Sequence, residues 1–373
     1  MLELSSEDTL RLNVLINNVE AIRIEERTLT VFGLSARGEA RVQLNPTGRS
    51  DQYLRAVREF LSSCALGSPS GYPVHLNRWT RMGQARDANL AKLLMLGEPE
   101  AIAAVVCAPG LTEELARRAW WADPSSENAR RMLACECVVQ SDMGRTLAAH
   151  LIEHLPFESE PRVIIDSVRL VLQPGLIEPT TRQRLWEQGA AQTVYRIGFL
   201  EAEPDSLPQP QPARADFESV RRALASSTVA RDPLALLMLR VLDGPGQTFL
   251  AVCVQILHKL ASQEATVALL NVLSGYLAGA RFAAESCQDA TMLLEAAERR
   301  LDDLPAARAL LTAVPSLRAE LLALQTLACM DEAVVTPVFA RSSAAGTLMR
   351  QKIAPVIEAV LQQVAVLRRA AHG

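Results

Sequence analysis

Two pairs of residues in this chain have types and spacing suited to holding a metal ion. Cys135 and Cys137 are separated by one residue, and His150 and His154 lie four apart. Histidines at i and i+4 share one helix face, which is how helical zinc ligands are presented. The pattern stops short of a metal centre. Cys-x-Cys is tighter than the spacing of structural zinc sites, and His150-Leu-Ile-Glu-His154 lacks the His-Glu-x-x-His order that supplies a general base. The expectation is two cysteines facing a core and two histidines at a surface or helix end, with no metal and no cofactor.

Catalytic signatures fare no better. Gly67-Ser-Pro-Ser-Gly71 matches a nucleophile elbow in letters only, because proline follows the first serine and no helix opens after it. The phosphate-binding glycine patterns are absent. Gly244-Pro-Gly246 precedes a helix, whose start can bind an anion in principle, but a helix-starting turn explains it better. Sulfur chemistry needs an exposed, activated thiolate. Cys107, Cys253 and Cys329 lie in apolar helical stretches and read as inert, whereas Cys287 falls between helices with Arg281 upstream. No catalytic residue is assigned, and the reading is non-enzymatic.

Recognition chemistry is better represented. The segment 71–84 (GYPVHLNRWTRMGQ) gathers Tyr72, His75, Arg78, Trp79 and Arg81 near a loop-to-helix junction. Aromatic and arginine side chains dominate binding hot spots, so these five residues form the expected interaction surface. The competing reading is that Trp79 anchors an N-terminal module and the arginines cap helix ends. Trp120 and Trp121 are adjacent, hence about 100° apart on a helix, so one is expected to pack inward and the other between helices.

The elements that must position these residues follow from periodicity. Residues 5–18 read as a helix with Ser5 or Ser6 as cap and Glu7 and Asp8 in its first turn. Ala21–Glu25, Thr28–Leu34 and Glu39–Leu44 alternate or carry β-branched residues and read as a three-stranded antiparallel meander. A second helix opens at Ser50 and stops near Gly67, and Val74–Leu76 reads as a short strand. From about residue 80 helical patterns follow one another: 85–96, 99–107, 112–122, 125–135, 142–154, 160–172, 179–188 and 190–202. They resume at 214–226, 233–242, 247–261, 263–278, 289–303, 305–313, 316–330 and 346–369. Asp123-Pro124 and Asp232-Pro233 read as a cap followed by proline at the first helical position. The last helix carries Ile353, Val356, Ile357, Val360, Leu361, Val364 and Leu367 on one face, for its own domain or for a homodimer seam.

The expected fold is therefore mainly α. It is a helical-repeat-like array of antiparallel helix pairs, without a strict repeat, behind a small α+β N-terminal module. The predicted domains are the α+β module at 1–80, a helical domain at 81–203, a Pro-rich linker at 204–213 and a C-terminal helical domain at 214–373. Proline at every second or third position of 204–212 favours an extended spacer. A formal net charge of −4 gives no pull toward nucleic acid. The longest candidate for a membrane span, the uncharged stretch Ala265 to Ala280, is shorter than the roughly 20 residues a span needs and reads as a buried core helix. Residues 1–10 (MLELSSEDTL) are acidic where a secretory signal is basic, and seven cysteines at irregular spacing read as reduced thiols, so a cytoplasmic location is expected.

Four segments carry a family resemblance. GYPVHLNRWTRMGQ (71–84), ELARRAWWA (114–122), ENARRML (127–133) and DSVRLVLQPGLI (166–177) resemble DsrS, the accessory-protein family encoded with the dissimilatory sulfite reductase system of sulfur-oxidising bacteria. The resemblance covers about 20–200. It implies a cytoplasmic protein associated with sulfur oxidation or sulfur relay, with sulfite reductase or relay proteins as partners, and it carries over no catalytic residues. The function expected is a non-catalytic accessory or scaffold protein acting through protein–protein contact. The alternatives are a cysteine-dependent sulfur carrier or enzyme, and a metal-binding regulator using Cys135, Cys137, His150 and His154.

Overall fold

The computed structural model describes residues 4–67, 87–260, 262–282, 290–301, 303–340 and 346–369. Among them are 20 α-helices and one three-stranded sheet. The fold is mainly α with a small α+β N-terminal part, as the periodicities predict. The chain divides into two units, Met1–Pro156 with Gln173–Ile177, and Phe157–Leu172 with Glu178–Gly373.

The first unit opens with α1 (Ser6–Ile16), capped by the Ser5 hydroxyl, which accepts from the Asp8 N–H at 3.1 Å. Strands β1 (Ala21–Glu25), β2 (Thr30–Ser35) and β3 (Gly38–Gln43) form an antiparallel sheet in the order β1-β2-β3. Strand alternation puts Ile22, Gly33 and Ala40 in one cross-strand row and Ile24, Val31 and Val42 in the next, on one face. That face meets α1 at close range. A Cβ on Gly33 would lie 2.9 Å from Leu15 Cδ1 of the helix and 2.6 Å from Val19 Cγ1 just beyond it, so the close approach needs a glycine here. Leu12, Leu15, Ile22, Val31, Tyr53 and Val57 form the core between α1, the sheet and α2 (Ser50–Leu66). Asp8 lies in the first turn of α1 as expected, and it is also fully buried. It accepts from the Tyr53 hydroxyl at 2.6 Å and from the Asn45 N–H at 2.8 Å.

The unit continues with α3 (Asp87–Leu93), α4 (Pro99–Val106), α5 (Glu113–Ala122), α6 (Ser126–Met132), α7 (Glu136–Val139) and α8 (Asp142–His154). Helix α5 covers the second face of the sheet. Arg23 lies over the rings of Phe32 and Trp121, and Trp121 Nε1 donates to Glu39 at 3.0 Å. Two sequence expectations are corrected here. The cap of α6 is Ser125, whose hydroxyl accepts from the Asn128 N–H. Asp123 ends α5 and accepts from the Asn128 side chain instead. Neither adjacent tryptophan is fully buried: Trp121 lies on the sheet and Trp120 meets His150.

The second unit holds α9 (Pro161–Val171), α10 (Pro179–Gln188), α11 (Thr193–Ala202), α12 (Phe217–Ala225), α13 (Pro233–Leu242) and α14 (Gly244–Leu257). It continues with α15 (Gln263–Tyr276), α16 (Ala290–Leu301), α17 (Pro305–Ala313), α18 (Arg318–Cys329), α19 (Glu332–Phe339) and α20 (Gly346–Arg368). Prolines 161, 179, 233 and 305 each begin a helix, where a missing N–H costs nothing. Buried Trp186, Phe199 and Phe249 give the unit its bulk. Of the stripe of α20, Ile353, Val356, Val360, Val364 and Leu367 are buried and Ile357 and Leu361 half-buried, and the helix packs on α18 and α14.

The Pro-rich segment 204–212, expected as the main boundary, lies within this unit. Asp205 pairs with Arg240 and accepts from the Tyr276 hydroxyl at 2.8 Å, and the Gln211 N–H donates to Thr248 Oγ1 at 2.8 Å. The segment runs through a turn and bends, with Gln209 at φ 62°, and these side chains pin it as a strap. Among the described residues no single helix is long and apolar enough to cross a membrane.

Candidate functional site

A recognition feature of the first unit is a groove between α1 and β3. Leu12 and Leu15 of α1 point into the core, which turns Leu10 and Val14, four residues apart, to the outside. They are 67% and 59% exposed, unusual for branched apolar side chains on adjacent turns. Across from them runs the edge of the sheet. The Leu44 N–H donates to the Leu29 carbonyl at 2.9 Å, and this bond sets the ladder's phase. Gly38, Ala40 and Val42 bond to β2, so the N–H and C=O groups of Glu39, Arg41 and Gln43 point away from the sheet. At the opposite edge the Ile22 N–H donates to the Leu94 carbonyl at 2.8 Å. The groove encloses about 590 Å³. Leu10, Val14, Val19, Ala40 and Val42 give it apolar walls, and its charged lining residues are Arg11 and Arg41. Among the described residues no strand pairs with this edge, and such an edge beside an apolar helix face is the geometry that receives an extended peptide as an added strand.

The two pairs singled out by spacing take separate local settings, and among the described residues no group of three or more His, Cys, Asp or Glu is placed to hold a metal ion. Cys135 and Cys137 do not face a core. Cys137 is exposed, Cys135 is half-buried, and their sulfurs lie 3.1 Å apart. Burial, and then the hydrogen bond and charge of Cys135, push the Cys137 thiol up to about 11. His150 stacks on His154 with ring centroids 3.9 Å apart and meets Trp120 edge-on at 4.8 Å. Its Nε2 lies 3.3 Å from Ser126 Oγ.

The remaining sequence candidates resolve as follows. Tyr72, His75, Arg78, Trp79 and Arg81, the expected strand Val74–Leu76, and Cys287 lie outside the described residues. Gly67 ends α2 in the left-handed region at φ 71°, a helix-stop role. At the start of α14 the Asp243 carboxylate accepts from the Gly244 N–H at 2.7 Å, so the helix start carries its own anion. Cys253 and Cys329 are buried as expected, with burial raising the Cys253 thiol; Cys107 is exposed, contrary to expectation, because it closes α4 at its C-terminal turn. The second unit has a polar cleft of about 470 Å³ lined by Arg162, Glu201, Arg240, Asn271 and Tyr276. Burial raises the Glu201 carboxyl, Arg162 and Arg169 oppose the shift, and Arg240 is taken by Asp205. Its charges answer one another, which marks an internal ion network.

The groove was missed in the sequence. Leu10 and Val14 carry the i, i+4 signal, yet alternation along α1 does not say which of its two apolar faces stays uncovered. No protein-family model, curated protein or solved structure matches the chain.

Proposed function

We propose that this chain is a non-catalytic accessory or scaffold protein of dissimilatory sulfur oxidation, cytoplasmic, that works by holding a protein partner in its N-terminal unit. The DsrS-like segments at 71–84, 114–122, 127–133 and 166–177 support the metabolic setting. The observation that carries the mode of action is the α1–β3 groove, with Leu10 and Val14 exposed beside outward-pointing backbone groups of Arg41 and Gln43. Its occupant is an extended partner segment that pairs with β3, places apolar side chains against Leu10 and Val14, and carries acidic residues toward Arg11 and Arg41. Sulfite reductase and the sulfur-relay proteins are the partners proposed, and the helical-repeat-like remainder is the frame that presents the module.

The test is affinity purification of the full chain from a host growing on reduced sulfur, beside the double variant Leu10→Glu/Val14→Glu. Both positions are exposed, so the variant is expected to fold, which circular dichroism verifies. The wild type should retain sulfite reductase or relay proteins, and the variant should lose them by about tenfold or more, as for a hot-spot change. Reproducible absence of those proteins from the wild-type eluate overturns the metabolic assignment, and equal retention by the variant overturns the groove.

A further inference from the structure

Cys135 and Cys137 are the pair of thiols that the backbone brings face to face. Cys135 is the residue before α7 and has extended backbone angles of −99° and 122°. Cys137 follows inside the first helical turn. The change of conformation between them turns both side chains toward one acceptor, the Leu111 carbonyl, at 3.2 Å from Cys137 Sγ and 3.9 Å from Cys135 Sγ. Their mutual separation of 3.1 Å is about 1 Å longer than a disulfide bond. Residues two apart span at most about 7 Å, close to the Cα range a disulfide accepts. Among the described residues Cys64 and Cys107 are also exposed, but no other cysteine sulfur lies beside either, and Cys253 and Cys329 are buried.

We propose that Cys135 and Cys137 form a two-electron dithiol site that closes to an intramolecular disulfide, with a low-molecular-weight disulfide as oxidant. Closure runs by thiol–disulfide exchange. Cys135 Sγ, having released its proton to solvent, attacks one sulfur of the oxidant RSSR; the S–S bond breaks and RS⁻ leaves and takes up a proton. Cys137 Sγ then attacks Cys135 Sγ in the mixed disulfide; the second RS⁻ leaves with the proton of Cys137. In sum, the protein dithiol and RSSR give the protein disulfide and two RSH, so the protein loses two hydrogens and the oxidant gains them. The order follows from the surroundings. Burial, and then the neighbouring Cys135, raise the Cys137 thiol, and Cys137 lies 3.1 Å from Cys135 Sγ, so Cys137 takes the resolving step and Cys135 the first attack. This site is independent of the groove and of any role in sulfur oxidation.

The experiment titrates the native full chain with glutathione disulfide, alkylates the remaining thiols and maps tryptic peptides. Cleavage after Arg131 and Arg145 isolates both residues in the peptide 132–145, which contains no other cysteine. The expected product is that peptide lighter by two hydrogen atoms and unalkylated. It should form at glutathione disulfide concentrations about tenfold or more below those that modify Cys64 or Cys107, because the second step is intramolecular. In Cys137→Ser a glutathione adduct should persist on Cys135, and in Cys135→Ser the peptide should react no faster than Cys107. The proposal is overturned if both thiols of the wild-type peptide stay alkylatable while Cys107 takes up glutathione, or if the peptide accumulates one or two glutathiones without closing.

Discussion

His150 packs flat on His154 and edge-on to Trp120, one turn from the end of α8. Burial first, and then the charge of His154, hold its pKa below the ordinary histidine value, with Glu153 opposing. The sign follows directly. The folded state prefers neutral His150, so its contribution to stability is complete above the unfolded-state pKa of about 6.5 and is lost as pH falls through that value toward the folded one. Urea unfolding of the wild type should therefore weaken between pH 7.5 and pH 5 more than that of His150→Gln; parallel pH profiles for the two proteins would remove the assignment. At this scale the sequence is readable in spacing and silent in direction. The i, i+4 spacing places His150 and His154 on one face, and they do meet. Nothing in Cys-x-Cys says that the thiols turn outward, because that depends on the break in conformation before α7 and on a carbonyl 24 to 26 residues away. Asp8 likewise reads correctly as a helix-start acid, but its burial depends on Tyr53, 45 residues on, which supplies the hydroxyl it accepts from.

Helices α9 and α11 pack at close range in the second unit, and one residue permits it. A Cβ on Gly198 would lie 2.7 Å from the Cβ of Val168 and 3.1 Å from the Ile165 carbonyl. Val168 and Ile165 are fully buried and cannot retreat. Gly198→Ala gains helix propensity of about 1 kcal/mol but must push the helices apart, and overpacking of this kind costs about 1–3 kcal/mol or more. A net loss of stability of about 1–2 kcal/mol is expected in chemical denaturation, and an equally stable variant would show that the pair can slide. Elements of this length were the legible part of the chain. Apolar recurrence and proline starts place α8, α10, α13 and α17 at the residues where they occur, since each spans two or more turns. Helix α7 went unread because four residues hold no period, and α19 because Pro337 sits inside it. The meander was legible from alternation and its turn, whereas the lack of a further strand beside β3 among the described residues was not, because that depends on tertiary packing.

Arg214 shows what decides the organisation of the second unit as a whole. Its guanidinium donates to both oxygens of Asp216 at 2.6 Å, to Glu320 at 2.9 Å and to the Arg369 carbonyl at 3.1 Å. The Arg214 and Glu320 side chains are 1% and 4% exposed, and the contacts join positions 106 and 155 residues apart in sequence. A proline-rich stretch reads locally as a spacer; the arginine just beyond it makes the strap part of the core, and no local pattern announces that. Two charges out of water are stable only together. Arg214→Met leaves Glu320 buried and unanswered and should cost about 3–5 kcal/mol in chemical denaturation. The double variant Arg214→Met/Glu320→Leu removes both desolvation costs and should recover most of that loss, as apolar replacements of buried pairs do. If the double variant is as unstable as the single one, the arginine matters for the backbone carbonyl of Arg369 and for Asp216, and the buried pair is incidental to how the strap is held.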